Sequence, residues 1–430
     1  MKKTFKIVAL LVFVLVTSTF VFAQTSNTLN GSAGTLRDDA DNFMDVRYYN
    51  EVDFSNFFVW TNLSASSATL GYAKKFDNLY LGTYYNGSLW NGSSSTKTTT
   101  SDSTSLSKTV KGTHYFDLLF GFSGMALKFD TYFNTNNSVT ESTNSITDKK
   151  NSNSVLGLTF GGFSISSEKL NIKPWARVGF SILDQTEYSK VEVNIEDYTI
   201  TTTETDKSSN LNLFSVKLAA DFESGDKYSF FSVFGLAYTL NTAVGANGII
   251  YESVTGTETT TVEREGLKYN ASIIAPSYRF EYNASENLKL AGRVRVNADI
   301  TTVCGGNTYI TGAKPEEMEA LTVSTTTEIT SNLGLGMQYK LKPNFAMNVG
   351  LYAVLPEFNS TKTVTPVGDS KSTTVTSGVD TSFSSSLRSG FVWDINENCA
   401  LDAYTNIGLT PSFLDSVLGG SLSLGFKYKK

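Results

Sequence analysis

The chain has 430 residues and a formal net charge of −6; 18% of its residues are charged and 13% aromatic, with one histidine and two cysteines. One histidine excludes a histidine-rich metal centre, two cysteines exclude a disulfide scaffold, and the acidic balance disfavours nucleic acid. The aromatic content argues against disorder, and a mean hydropathy of −0.13 excludes a polytopic helical membrane protein.

Lys2, Lys3 and Lys6 precede an apolar run from Ile7 to Val21, and Val21-Phe22-Ala23 fits a small-residue cleavage site. Residues 1–23 therefore read as a secretory signal peptide, the alternative being an anchor helix. Residues 24–52 follow as a periplasmic or lumen-inserted lead segment. They contain the acidic run Arg37-Asp38-Asp39-Ala40-Asp41-Asn42-Phe43-Met44-Asp45. Clustered carboxylates can hold calcium, but this run lacks the glycine and terminal glutamate of a calcium loop. A solvated or plug-forming segment is the better reading, and no metal or other cofactor is expected.

From residue 53 onward, segments of about ten residues with alternating hydrophobicity are separated by polar connections. Sixteen segments are expected, at 53–62, 67–75, 79–89, 113–122, 125–134, 154–165, 171–183, 211–222, 228–240, 270–282, 288–300, 331–341, 345–356, 382–394, 399–409 and 419–428. Fourteen is the alternative count. Short connections such as Lys75–Asn78 and Lys342–Asn344 carry turn residues. They alternate with long Ser/Thr-rich ones near 91–112, 135–153, 184–210, 241–268, 301–330 and 357–381. Pro276 lies inside a segment, where a proline predicts a bulge.

The segment faces differ in polarity. Leu288, Leu290, Val294, Val296 and Ile300 alternate with Lys289, Arg293, Arg295, Asn297 and Asp299. Leu333, Leu335, Met337, Tyr339 and Leu341 form a second apolar face, and Phe345, Met347, Val349 and Leu351 a third. No later stretch is long and apolar enough for a membrane helix, so a spanning chain must close a β-barrel. A closed sheet of this size has an interior too wide for side chains to fill. The apolar face then points outward into lipid and the polar face lines a wet lumen. The expected fold is all-β: a transmembrane, antiparallel, up-and-down β-barrel over residues 53–430, with short periplasmic turns and long extracellular loops.

The C-terminus places Leu422, Leu424, Phe426 and Tyr428 in alternation with polar or small residues. It resembles the closing strand of bacterial outer-membrane β-barrels, although two lysines follow the last aromatic residue. The resemblance is to the porin-like class, of spirochaete type in its Ser/Thr-rich loops. It implies a protein of the bacterial outer membrane whose partners are outer-membrane lipids, the insertion machinery that reads the C-terminal strand, and small solutes. A homo-oligomer is left open.

Charged residues on inward positions are the candidate site. They are Arg177, Arg279, Arg293, Arg295, Arg388, Lys128, Lys217, Lys289 and Lys340, with Asp130, Asp221, Glu281, Asp299 and Asp402 as counter-charges. Fixed charge in an aqueous pore sets ion selectivity, and the rigid guanidinium fork suits a constriction. The competing reading is a salt-bridge network that holds the barrel and selects nothing. His114 has no partner at catalytic spacing, and no enzymatic role is expected. Cys304 and Cys399 fall at opposite ends of the barrel, too far apart for a disulfide.

The reading is a passive channel for small polar solutes or ions. The alternatives are a surface adhesin using its long loops and a hydrophobic-solute transporter.

Overall fold

The structure, a computed structural model, describes residues 43–429 apart from 53–55, 64–66, 89–91, 100–103, 143–144, 196–197, 246–247, 256–257, 265–267, 305–307, 311–322, 368–369, 381–383 and 410–420. The expected signal peptide, residues 1–23, and Arg37–Asn42 lie outside the described residues.

Sixteen antiparallel strands close into a barrel. They are β1 (Phe57–Leu63), β2 (Ser67–Phe76), β3 (Leu79–Ser88), β4 (Thr104–Phe122), β5 (Met125–Ser142), β6 (Ser145–Gly161), β7 (Asn171–Ile195) and β8 (Tyr198–Gly225). The second half comprises β9 (Phe230–Gly245), β10 (Lys268–Asn283), β11 (Leu288–Cys304), β12 (Val323–Lys342), β13 (Phe345–Val354, continued by Glu357–Val367), β14 (Ser370–Asp380, continued by Ser384–Asp394), β15 (Cys399–Leu409) and β16 (Ser421–Lys429). Each contains or overlaps one of the sixteen expected segments. Closure is made by β1 against β16, from Phe58↔Lys429 to Leu63↔Leu424.

The turns on one side are tight for local reasons. Ser123 and Gly124 both have positive φ, 48° and 82°, as a two-residue turn between right-twisted strands requires. Asp77 at φ 48° serves the same purpose between β2 and β3.

The outer wall is apolar. Phe120, Phe129, Phe160, Phe180, Leu218, Phe234, Leu335 and Leu351 are all exposed and belong to successive or nearby strands. A soluble monomer rarely exposes a continuous apolar surface of this extent, whereas a barrel in lipid must do so.

The structure corrects two expectations. The Ser/Thr-rich connections near 91–112, 135–153, 184–210, 241–268, 301–330 and 357–381 are in large part strand. β7 and β8 run 25 and 28 residues and stay paired from Asn171↔Glu223 to Tyr198↔Ile195. A membrane-crossing strand needs only about 10. Threonine is β-branched and favours extended backbone, and Thr–Thr and Ser–Thr hydrogen bonds tie adjacent strands, as Thr326 does with Thr361 at 3.1 Å. Beyond the barrel strands, Gly248–Thr255, Glu258–Arg264 and Thr308–Ile310 form a separate small sheet.

The second correction concerns Pro276. No bulge occurs there: Ile274↔Ala298 and Ser277↔Arg295 keep one register across the gap, and Leu236↔Pro276 remains paired on the other side. The missing N–H interrupts pairing on the β11 side alone. A shift does occur at Pro356, where β13 pairs as Asn332↔Val354 below and Ile329↔Phe358 above, one residue longer than β12.

Candidate functional site

Ten residues before β1 pack onto the inner wall. Phe43, Tyr49 and Val52 are buried with Phe58, Trp60, Ala73, Leu119 and Ala126 of β1, β2, β4 and β5. The fit comes from missing side chains. A Cβ at Gly82 would meet Phe43, one at Gly121 would meet Tyr49, and one at Gly161 would meet Val46, each at under 3.0 Å. Three wall glycines thus form the seat for three apolar side chains of the lead segment. Tyr49 also donates its hydroxyl to the Met125 carbonyl at 3.0 Å.

Charge fixes the other side of the segment. Arg47 forks onto Asp45 through Nε at 2.8 Å and a terminal nitrogen at 2.6 Å, and gives its other terminal nitrogen to Asp221 of β8 at 2.7 Å. Asp45, from the acidic run, is thereby taken up by a guanidinium. Tyr48 donates to the same Asp221 carboxylate at 2.8 Å. Glu51 pairs with Lys173 and, at 2.7 Å, with Lys227, and Lys173 also reaches Glu223 at 3.1 Å. Burial alone would raise the Glu51 carboxyl, but its hydrogen bonds and charge contacts with Lys173 and Lys227 hold it below the usual carboxylate value.

The inward charges of the wall fall into distinct groups. On β5–β8, Arg177 is paired with Asp130, with Nε 3.2 Å from that carboxylate. Lys128 meets Asp117 at 3.3 Å. Lys217 stands opposite Arg177 in the β7–β8 register. On β10 and β11, Arg279 and Arg293 are direct cross-strand partners. Glu281 lies 3.9 Å from Arg279 and 3.4 Å from Lys289. Arg295 donates Nε to Asn297 at 3.1 Å, and Asp299 accepts from Thr301 at 2.9 Å.

Other candidates lie apart. Arg388 donates to Asn406 at 3.2 Å and lies 5.6 Å from the Tyr352 ring, on the far arc of the wall. Asp402 is buried on β15 beside Gly425. Lys340 sits exposed near the end of β12, beside the tight turn into β13. Cys304 ends β11 opposite Val323, whereas Cys399 begins β15 opposite Tyr428, at the other end of the barrel. His114 is hydrogen-bonded to the Tyr85 hydroxyl at 2.9 Å.

Sequence reasoning did not single out Arg47, Tyr48, Tyr49, Glu51, Lys173, Trp175 or Glu223. One signal was available: the apolar and aromatic residues Phe43, Met44, Val46, Tyr48, Tyr49 and Val52 crowd a segment that belongs to no strand.

No protein-family model and no curated protein matches the chain. Among solved structures, a FadL homologue of Pseudomonas aeruginosa is 12% identical at a TM-score of 0.42, covering 95% of this chain and 99% of that one. CdiB of Acinetobacter baumannii is 9% identical at 0.40, covering 87% and 60%. The ferric yersiniabactin uptake receptor FyuA of Yersinia pestis is 8% identical at 0.35, covering 88% and 80%. The assignment rests on the molecule itself, on a closed barrel with an apolar outer wall and charged inner positions. The chain is a closed, antiparallel β-barrel of the membrane-spanning type.

Proposed function

We propose that the protein moves small polar or anionic solutes through its lumen, without chemistry, past a segment that narrows the periplasmic end. The observation that carries this reading is the pairing of two features. The inner wall presents Arg177, Lys217, Arg279, Arg293 and Arg295 on neighbouring strands, and residues 43–52 are seated against the same wall through Arg47 and Asp221. A sixteen-stranded barrel without such a segment leaves an open aqueous channel. With the segment docked, the free cross-section is smaller and is bordered by fixed positive charge, which favours anions. A charged wall also argues against an apolar solute.

Planar-bilayer recording tests the reading. Discrete conductance steps with a reversal potential on the anion side support it. A barrel that never conducts, even when the docked segment is displaced, overturns it.

One observation favours a second reading, binding at the cell surface. The paired β7–β8 hairpin extends well past the length needed to cross the membrane. Exchange of residues 185–208 for a short turn would then abolish surface binding and leave conductance intact.

A further inference from the structure

Lys217 differs from the other inward cations of β5–β8. Arg177 has Asp130, Lys128 has Asp117, and Arg47 has Asp45 and Asp221. Lys217 has the ring of Trp175 at 5.0 Å, and among the described residues it forms no ion pair. That ring is shared with a second cation, since the Arg47 guanidinium lies 5.2 Å from it. Arg177 stands directly across from Lys217 in the strand register. Arg295 also lacks an ion pair among the described residues, its one hydrogen bond there going to the neutral Asn297. The cross-strand row through Arg295 runs over Ser277 and Gly235 to Asp221, the carboxylate that holds Arg47.

Lys217, Arg177 and Arg47 thus lie together beside the docked segment, with Arg295 on the same inner wall in the row of Asp221, and the carboxylates that meet Arg177 and Arg47 are already engaged. Asp221 accepts from both Arg47 and Tyr48, and Asp130 accepts from Arg177. Arg177 and Arg47 have those counter-charges, whereas Lys217 and Arg295 add positive charge to the same wall without an ion pair among the described residues. Such a cluster is matched by an anion with several acceptor oxygens: lysine supplies a point charge and arginine a planar fork.

We propose that Lys217 and Arg295, flanked by Arg177 and by Arg47 of the docked segment, form an oxyanion site in the lumen that takes the carboxylate or phosphate group of a small solute. The site rests on the reading of the lumen as the solute path, and it gives that path a resting point next to the narrowing. Arg47 belongs to both the site and the anchor of the segment, so an occupant there touches the element that narrows the pore.

Calorimetric titration of the full-length, detergent-folded protein tests this, with inorganic phosphate and acetate as separate probes. Saturable binding of at least one is expected, and the stronger of the two tells whether the group is a phosphate or a carboxylate. Lys217→Met and Arg295→Met should each weaken it about tenfold, as expected for loss of one charge-assisted contact, while Lys169→Met in an exposed turn should not. Unboiled gel mobility checks that each variant is a folded barrel. Absence of saturable binding by both anions, or binding indifferent to Lys217 and Arg295, overturns the site. Conductance is read separately: a barrel that conducts but binds neither anion loses only the site, and one that binds but never conducts loses only the transport reading.

Discussion

Tyr49 occupies the space that a side chain at Gly121 would fill. The two are far apart in the chain, one in the docked segment and one at the end of β4 beside the tight turn into β5. Glycine is needed there for close approach. Gly121→Val cannot be absorbed by rotation of a flexible tip, because Tyr49 is buried with its hydroxyl bonded to Met125. Overpacking of this kind costs about 1–3 kcal/mol. The strain can be relieved by release of the segment, with the outer wall untouched. Gly121→Val should therefore give a folded barrel with larger single-channel conductance. Unchanged conductance would mean that residues 43–52 do not limit the pore.

Asp221 carries the polar half of the anchor. Its carboxylate accepts from Arg47 at 2.7 Å and from Tyr48 at 2.8 Å, with all three groups largely shielded from solvent. Asp221→Asn leaves the Arg47 charge with Asp45 alone. Loss of one member of such a pair costs on the order of 3 kcal/mol. Protease should then reach the lead segment faster than in the unaltered chain. Arg47→Gln on the Asp221→Asn background should add less than it does alone, because the two act as one unit.

Acid should loosen the same segment at its other anchor. The folded-state carboxyl of Glu51 lies below its ordinary value of 4.5 because Lys173 and Lys227 outweigh its burial. A carboxylate with a depressed value contributes stability that is fully present above its unfolded value and is lost as pH falls through the folded one. The segment should stay seated at neutral pH and loosen as pH falls below the ordinary carboxylate value and through the lowered one. Glu51→Gln should remove this pH dependence, which conductance recorded across acidic pH would show.

How far the sequence carries differs from one part of the molecule to another. The sixteen strands were legible because a membrane strand writes its own period: lipid-facing Leu290 and Val294 alternate with Arg293 and Arg295 over a single segment. The strand extensions were not, since Ser and Thr serve loops and strands equally well and only cross-strand pairs such as Thr326–Thr361 decide between them. The seat of residues 43–52 was hidden for a different reason. Arg47 and Asp221 are 174 positions apart, and Gly82, Gly121 and Gly161 become one groove only after β3, β4, β5 and β6 are placed side by side. The site near Lys217 depends on the same long-range placement, because nothing local marks Lys217 as lacking a carboxylate.

Ion selectivity separates a functional basic patch from a structural one. Arg293 and Arg295 face the lumen from one strand, and Arg279 stands opposite Arg293. Replacing Arg293 and Arg295 by Ser removes two fixed positive charges while Arg279 keeps Glu281 nearby. The reversal potential in a salt gradient should move toward cation preference. An unshifted potential with normal conductance would show that the arginines hold the wall and select nothing.

Closure of the barrel can be tested by chemistry at its seam. Thr61 of β1 is the direct partner of Phe426 of β16, and Leu424 is the next outward-facing position along β16. Directly opposed antiparallel residues have Cα atoms about 4.5–5.5 Å apart, within the span a disulfide accepts, while a diagonal pair is too distant. In a background with Cys304 and Cys399 replaced by Ser, the double variant Thr61→Cys, Phe426→Cys should oxidise within one chain and resist heat unfolding until reduced. The double variant Thr61→Cys, Leu424→Cys should stay reduced under the same conditions. Efficient cross-linking of the second pair and not the first would shift the seam by two residues, a change that overturns the register of closure but, because side chains alternate with a period of two, leaves Phe58 and Trp60 on the inner wall beneath Phe43.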